Sequence, residues 1–147
     1  MLAAITQVLN QDSDTQVDVC MTSEMARRIE LWTAMYEDNA PWVDRKKVKS
    51  AQLPAAIASE VARLVTLEMK SEITGGSSAT YLNDQYQKKV LTSIRRYMEY
   101  GCAKGGLILK PYVTKTGLAI QYVQADCFFP LAFDDSGQIQ QCVFTEQ

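Results

Sequence analysis

Apolar side chains recur at helical spacing over the first two thirds of the chain and at alternating spacing over the last third. Met25, Ile29, Trp32 and Tyr36 lie four, three and four residues apart, which puts them on one face of a helix over 22–37. Thr22 or Ser23 suits its N-cap, Glu24 suits the positive end of its dipole, and Asn39-Ala40-Pro41 stops it. Trp42 follows in a loop, and then comes a basic cluster, DRKKVK, over 44–49. A second helix opens at Pro54, a residue fitted to the first helical position, and runs to residue 70. Leu53, Ile57, Val61, Leu64, Val65 and Met69 give it a wide apolar arc of the kind that faces a core. Ala58 and Ala62 border the arc and are small enough for close helix approach. Glu68 falls inside the arc and Leu67 on the polar side. Either the last turn projects past the core, or both helix faces are covered by packing into an oligomer.

A flexible TGGSSAT loop separates this helix from a third, over 81–103. Leu82, Tyr86, Val90, Ile94, Tyr97 and Met98 line one side of it. Lys88, Lys89, Thr92, Arg95, Arg96 and Glu99 line the other, with Asp84–Lys88 and Arg95–Glu99 at ion-pair spacing. That basic stripe is read as a solvated face, because its charges are paired and no aromatic platform alternates with them. Gly101, Gly105 and Gly106 act as a helix C-cap and tight turn. GCAKGG is a poor phosphate loop, since it runs from helix into strand and lacks the Walker spacing.

Four strands follow: LILKPYV, where Pro111 indicates an edge or a bulge, then LAIQYVQ, CFFPLAF and QIQQCVFTEQ. Turn signals about every ten residues predict an antiparallel meander or a pair of hairpins. The expected fold is α+β. Residues 1–21 form a short helix and a polar arm, 22–104 a helical part of three main helices, and 105–147 a small antiparallel β part. The last strand meets no stop signal, so the chain is expected to be a fragment of a longer one, or to take partner strands from a neighbour.

Composition narrows the chemistry. The 147 residues are 47% hydrophobic and 22% charged, with a net charge of −2. This is the size and balance of one folded domain, with no overall pull toward nucleic acid or anionic membrane. There is no histidine, which removes Ser-His and Cys-His mechanisms from this chain. Cys20, Cys102, Cys127 and Cys142 stand singly, without the paired spacing of a zinc site, and are expected to be small buried side chains in a reducing compartment. No secretory leader or membrane-length apolar run is read, so a soluble cytoplasmic protein is expected. YVQADCFFPLAFDDSG places Cys127 beside Asp126, whose charge opposes a thiolate, and puts Asp134 and Asp135 in a turn. This stretch is therefore read as a buried strand and its turn. No catalytic residue, cofactor or metal ligand is assigned.

ELWTAMYEDNAPWV, LPAAIASEVARLVTLEM, RRYMEYGCAKGGLILKPYV and YVQADCFFPLAFDDSGQI occur in this order over roughly 30–144. Together they resemble the N-terminal part of portal proteins, or minor capsid proteins, of tailed phages and prophages of Gram-positive bacteria. The resemblance implies a non-enzymatic virion protein, assembled in the host cytoplasm. It implies a homo-oligomeric ring, a dodecamer in mature particles, at the capsid vertex. Double-stranded DNA passes through the full ring, driven by a separate terminase. Capsid or scaffolding proteins and head-completion proteins are the other implied partners. The segment matches the outer wing; the stem, clip and tunnel loop lie later in such chains, so direct DNA contact by this segment is not expected. Trp32, Tyr36, Trp42, Leu67 and Glu68 are candidates for an oligomer or partner interface, with ordinary core packing the alternative for Trp32 and Tyr36. The competing function is a small adaptor or regulatory module that binds a protein partner through its β edge.

Overall fold

A computed structural model describes residues 2–11, 18–44, 46–47 and 50–145. The helical part comprises α1 (Leu2–Gln11), α2 (Ser23–Tyr36), α3 (Leu53–Leu67), α4 (Ala79–Tyr86), a π-helical segment (Gln87–Leu91) and α5 (Ile94–Lys104). Then come β1 (Leu107–Thr114), β2 (Gly117–Gln124), a 3-10 turn (Ala125–Cys127), β3 (Phe128–Phe133) and β4 (Ile139–Phe144). The fold is α+β, and its strands form two separate antiparallel hairpins, β1–β2 and β3–β4. Most of the polar arm (12–17), three residues of the basic cluster (45, 48 and 49) and the last two residues of the final strand segment lie outside the described residues.

Local chemistry explains the element ends. The Thr22 hydroxyl accepts from the Met25 amide at 3.1 Å and starts α2. Glu24 accepts from both Arg27 and Arg28, and those two guanidinium hydrogen bonds hold its carboxyl below its ordinary pKa. Pro54 stands in the first turn of α3. Gly105 ends α5 with φ +87°, and a Cβ there would also come within 3.1 Å of the Trp32 ring. Glycine is therefore favoured at this position by the turn, and a side chain there would also crowd the tryptophan of α2. Asp134 shapes the β3–β4 turn by accepting from the Ser136 and Gln138 amides. Pro111 stands opposite Ile120 in β1, a strand with a single neighbour, where its missing N–H costs no ladder bond to a second strand.

The third expected helix is not continuous. It divides into α4, the π-helical segment and α5, with a break at Thr92–Ser93. The hydroxyl of Tyr122, in β2, donates to the carbonyl of Lys89 at 2.9 Å and reaches that of Val90 at 3.3 Å. A π-helical turn releases carbonyls from the regular ladder, and here a distant tyrosine takes them up. Lys89 also departs from the expected solvated face: its ammonium donates to the Leu118 carbonyl of β2. The expected Arg95–Glu99 pair gives way to a hydrogen bond from the Tyr36 hydroxyl to Glu99, at 2.7 Å. The Asp84–Lys88 pair forms, at 2.8 Å.

α5 is the hub. It packs against α3 and α2 on one side and against β1 and β2 on the other. Tyr97 of α5 stacks on Tyr122 with ring centroids 3.8 Å apart and planes 2° apart. Ile29, Val90, Ile94, Val123, Cys127 and Phe129 form the core, with Phe129 only 2% exposed. Cys127 is buried as expected, but in the 3-10 turn and not in a strand, whereas Cys20 and Cys102 are exposed and Cys142 is half-buried, against the expectation that the cysteines are buried. Lys104, 5% exposed, ends α5 against Asp126, Nζ to Oδ2 2.7 Å. That cation sits at the negative end of the helix dipole and closes the core between the helices and the hairpins. Lys110 lies over the Phe144 ring at 4.5 Å and links the two hairpins.

Candidate interface on the third helix

The second expected helix is present as α3, and its packing is the reverse of what its apolar arc suggested. The buried residues are Ala58 and Ala62, the latter with no exposed surface at all. Spaced by four, they form one row along the helix and let α3 approach α5 closely. The large side chains are left mostly in solvent. Leu53 and Ile57 are each 62% exposed, Leu64 56% and Val65 54%, and Val61 and Met69 are also exposed. The expectation that this arc faces a core within the chain is overturned. Close approach needs small residues, and the two alanines supply it where leucine cannot.

Beside this face lies an open groove of about 450 Å³. Its walls are Trp32, Met35 and Tyr36 of α2, Pro54, Ile57, Ala58 and Val61 of α3, and Cys102 and Ala103 of α5. Tyr36 is fixed in the wall by its bond to Glu99 and by an edge-on contact with Tyr100, ring centroids 5.7 Å apart. Burial first, and then the Glu99 hydrogen bond, push the Tyr36 phenol far above its ordinary pKa, so it stays a neutral donor. The charges of α3 are satisfied on the helix itself: Arg63 grips Glu60 with two bonds, at 2.8 and 2.6 Å. The Arg63 guanidinium holds the Glu60 carboxyl below its usual range, and the Glu60 carboxylate in turn raises Arg63. The face and groove are thus apolar surfaces with a neutralised rim, suited to burying apolar side chains of another body.

The candidate residues divide. Trp32 and Tyr36 stand together in the groove wall, both half-buried. Leu67 and Glu68 are exposed at the C-terminal end of α3. Trp42 is 65% exposed in the loop after α2 and is not among the residues lining the groove. Leu53, Ile57, Val61, Leu64 and Val65 were read as core and are surface. The Ala58–Ala62 spacing was the available signal for this, because it names the side of the helix that makes the close approach.

Elsewhere, Cys127 is held in its thiol form first by burial and then by the nearby Asp126 charge, only partly offset by Thr145 and Lys104. Among the described residues, no three Cys, Asp or Glu side chains cluster as metal ligands, and no helix is long and apolar enough to cross a membrane. Comparison of the chain with protein-family models, with curated proteins and with solved structures returned no match.

Proposed function

We propose that this chain is a structural assembly module, the wing part of a subunit of the portal ring at a phage capsid vertex. One observation carries the reading: the largest apolar side chains of α3 lie in solvent, next to an apolar groove. A contiguous exposed patch of this kind marks a surface that another body covers. The portal-like segments span this region, with LPAAIASEVARLVTLEM forming α3 itself and its C-terminal flank. In this reading the module works in the virion and, during assembly, in the host cytoplasm. It performs no reaction and uses no cofactor. Its partners are copies of itself and the neighbouring head proteins, while double-stranded DNA passes through the completed ring.

Electron microscopy of the full-length gene product, purified at high concentration, tests the reading. Closed rings with a central channel are the expected result. A gene product that stays monomeric and never forms rings overturns it, as does substrate turnover abolished by changing one thiol or carboxyl group.

A further inference from the structure

We propose that the open cleft between α5 and the β1–β2 hairpin is a binding site for a proline-rich segment of a partner protein, taken in the polyproline II conformation. The site is separate from α3 and does not depend on the portal reading. Its volume is about 590 Å³, within the range of ligand sites. Tyr97 of α5 supplies one wall, and Lys110 and Tyr112 of β1 with Ile120, Gln121 and Tyr122 of β2 supply the rest.

The aromatic floor is set before any ligand arrives. Tyr122 is held at both ends: its ring stacks on Tyr97 at 3.8 Å, and its hydroxyl donates to the Lys89 and Val90 carbonyls of the π-helical segment. Burial pushes its phenol above the ordinary pKa, so the donor keeps its proton. π-helical turns are rare and recur at functional sites. Here the carbonyls released by the turn fix one ring of the cleft. A platform fixed in advance gives up little freedom when a ligand settles on it.

The lining chemistry selects among ligands. The Tyr97 and Tyr112 hydroxyls and the Gln121 side-chain amide make no hydrogen bond among the described residues, so neutral donors stand beside flat rings. Among the described residues no Asp or Glu lines the cleft, and carboxylates are the strongest acceptors for the hydroxyl hydrogens of a sugar. The one cation among those lining residues, Lys110, already rests over the Phe144 ring at 4.5 Å, so a nucleic acid strand meets no basic track for its phosphates. A proline-rich segment needs what is present. Its rings lie on aromatic faces, its carbonyls are unpaired and accept from neutral donors, and proline brings no N–H that needs an acceptor. Its conformation is preformed, so little entropy is lost on docking.

Two-dimensional amide NMR of the 147-residue chain, titrated with acetyl-decaproline-amide, tests this. A Gly-Ser peptide of equal length, maltohexaose and oligothymidine are the controls. Saturable shifts at Tyr97, Tyr112 and Gln121 are expected with decaproline and not with the controls. Tyr112 and Gln121 are exposed, and the amide spectrum of each variant checks its fold. Tyr112→Ala is expected to weaken decaproline binding by about tenfold, and Gln121→Ala by a smaller factor. No saturable shift with decaproline overturns the proposal. So does a folded Tyr112→Ala or Gln121→Ala chain that binds decaproline as the native chain does. Equal shifts with the Gly-Ser peptide remove the preference for proline and overturn it too. Shifts at these residues with maltohexaose or oligothymidine in place of decaproline overturn it and give the cleft to a sugar or to a single strand.

Discussion

The two sides of α5 use apolar residues in opposite ways. Toward the hairpins, Ile94, Val123 and Phe129 are buried, and Lys104 and Asp126 close the edge of that interior with an ion pair. Toward α3, the buried residues of that helix are two alanines, and its leucines, isoleucine and valines are left mostly outside. The first side buries its large apolar side chains within the chain. The second holds its helix in place and leaves a surface for something else. Apolar content alone therefore does not locate a core; which row of a helix is small enough to make the close approach decides it.

Truncation on each side gives the sharpest contrast. Phe129→Ala should cost about 3–5 kcal/mol, because it removes a ring that has almost no exposed surface and leaves a cavity. Urea unfolding measures it, and a loss under 1 kcal/mol would mean that the interior is not closed around this ring. Lys104→Met should come next, at about 3 kcal/mol or more, because it leaves the Asp126 carboxylate without the cation it faces in the interior. The double variant Lys104→Met/Asp126→Leu should recover most of that loss, as apolar replacements of buried pairs do. If the single and double variants unfold alike, the pair does not close the core. The smallest effect is expected on the other side. Ile57→Ser in the dilute chain should shift stability by no more than about 0.5 kcal/mol, since the side chain is mostly in water already. A loss as large as that of Phe129→Ala would show Ile57 to be core after all.

Local signals were legible in the sequence where the chemistry is local. Thr22 caps α2, Gly105 ends α5, and Asp134 shapes the last turn, each through bonds reaching only a few residues. The α+β class and the four strands followed from the change in periodicity. The break between α4 and α5 was not legible, because it depends on Tyr122 and Lys89 meeting across more than thirty positions of chain. Glu99 was assigned to Arg95 by spacing, and its observed partner, Tyr36, comes from another helix. For α3 the amphipathic pattern was plain, but periodicity does not say which side of a helix meets its neighbour. Trp32 and Tyr36 were named and do share a groove, whereas the other half of that groove, Ile57 and Val61, was assigned to the interior.

The central claim is that α3 keeps its large side chains outside the fold for another copy to cover. Thiol labelling of a Leu64→Cys variant, read peptide by peptide by mass spectrometry at increasing protein concentration, tests it most directly. Rapid labelling in dilute solution, slowing as the chain associates, is the predicted result. Slow labelling at every concentration would place Leu64 inside its own chain, and unchanged rapid labelling at every concentration would show that no copy ever covers it; either contradicts the claim.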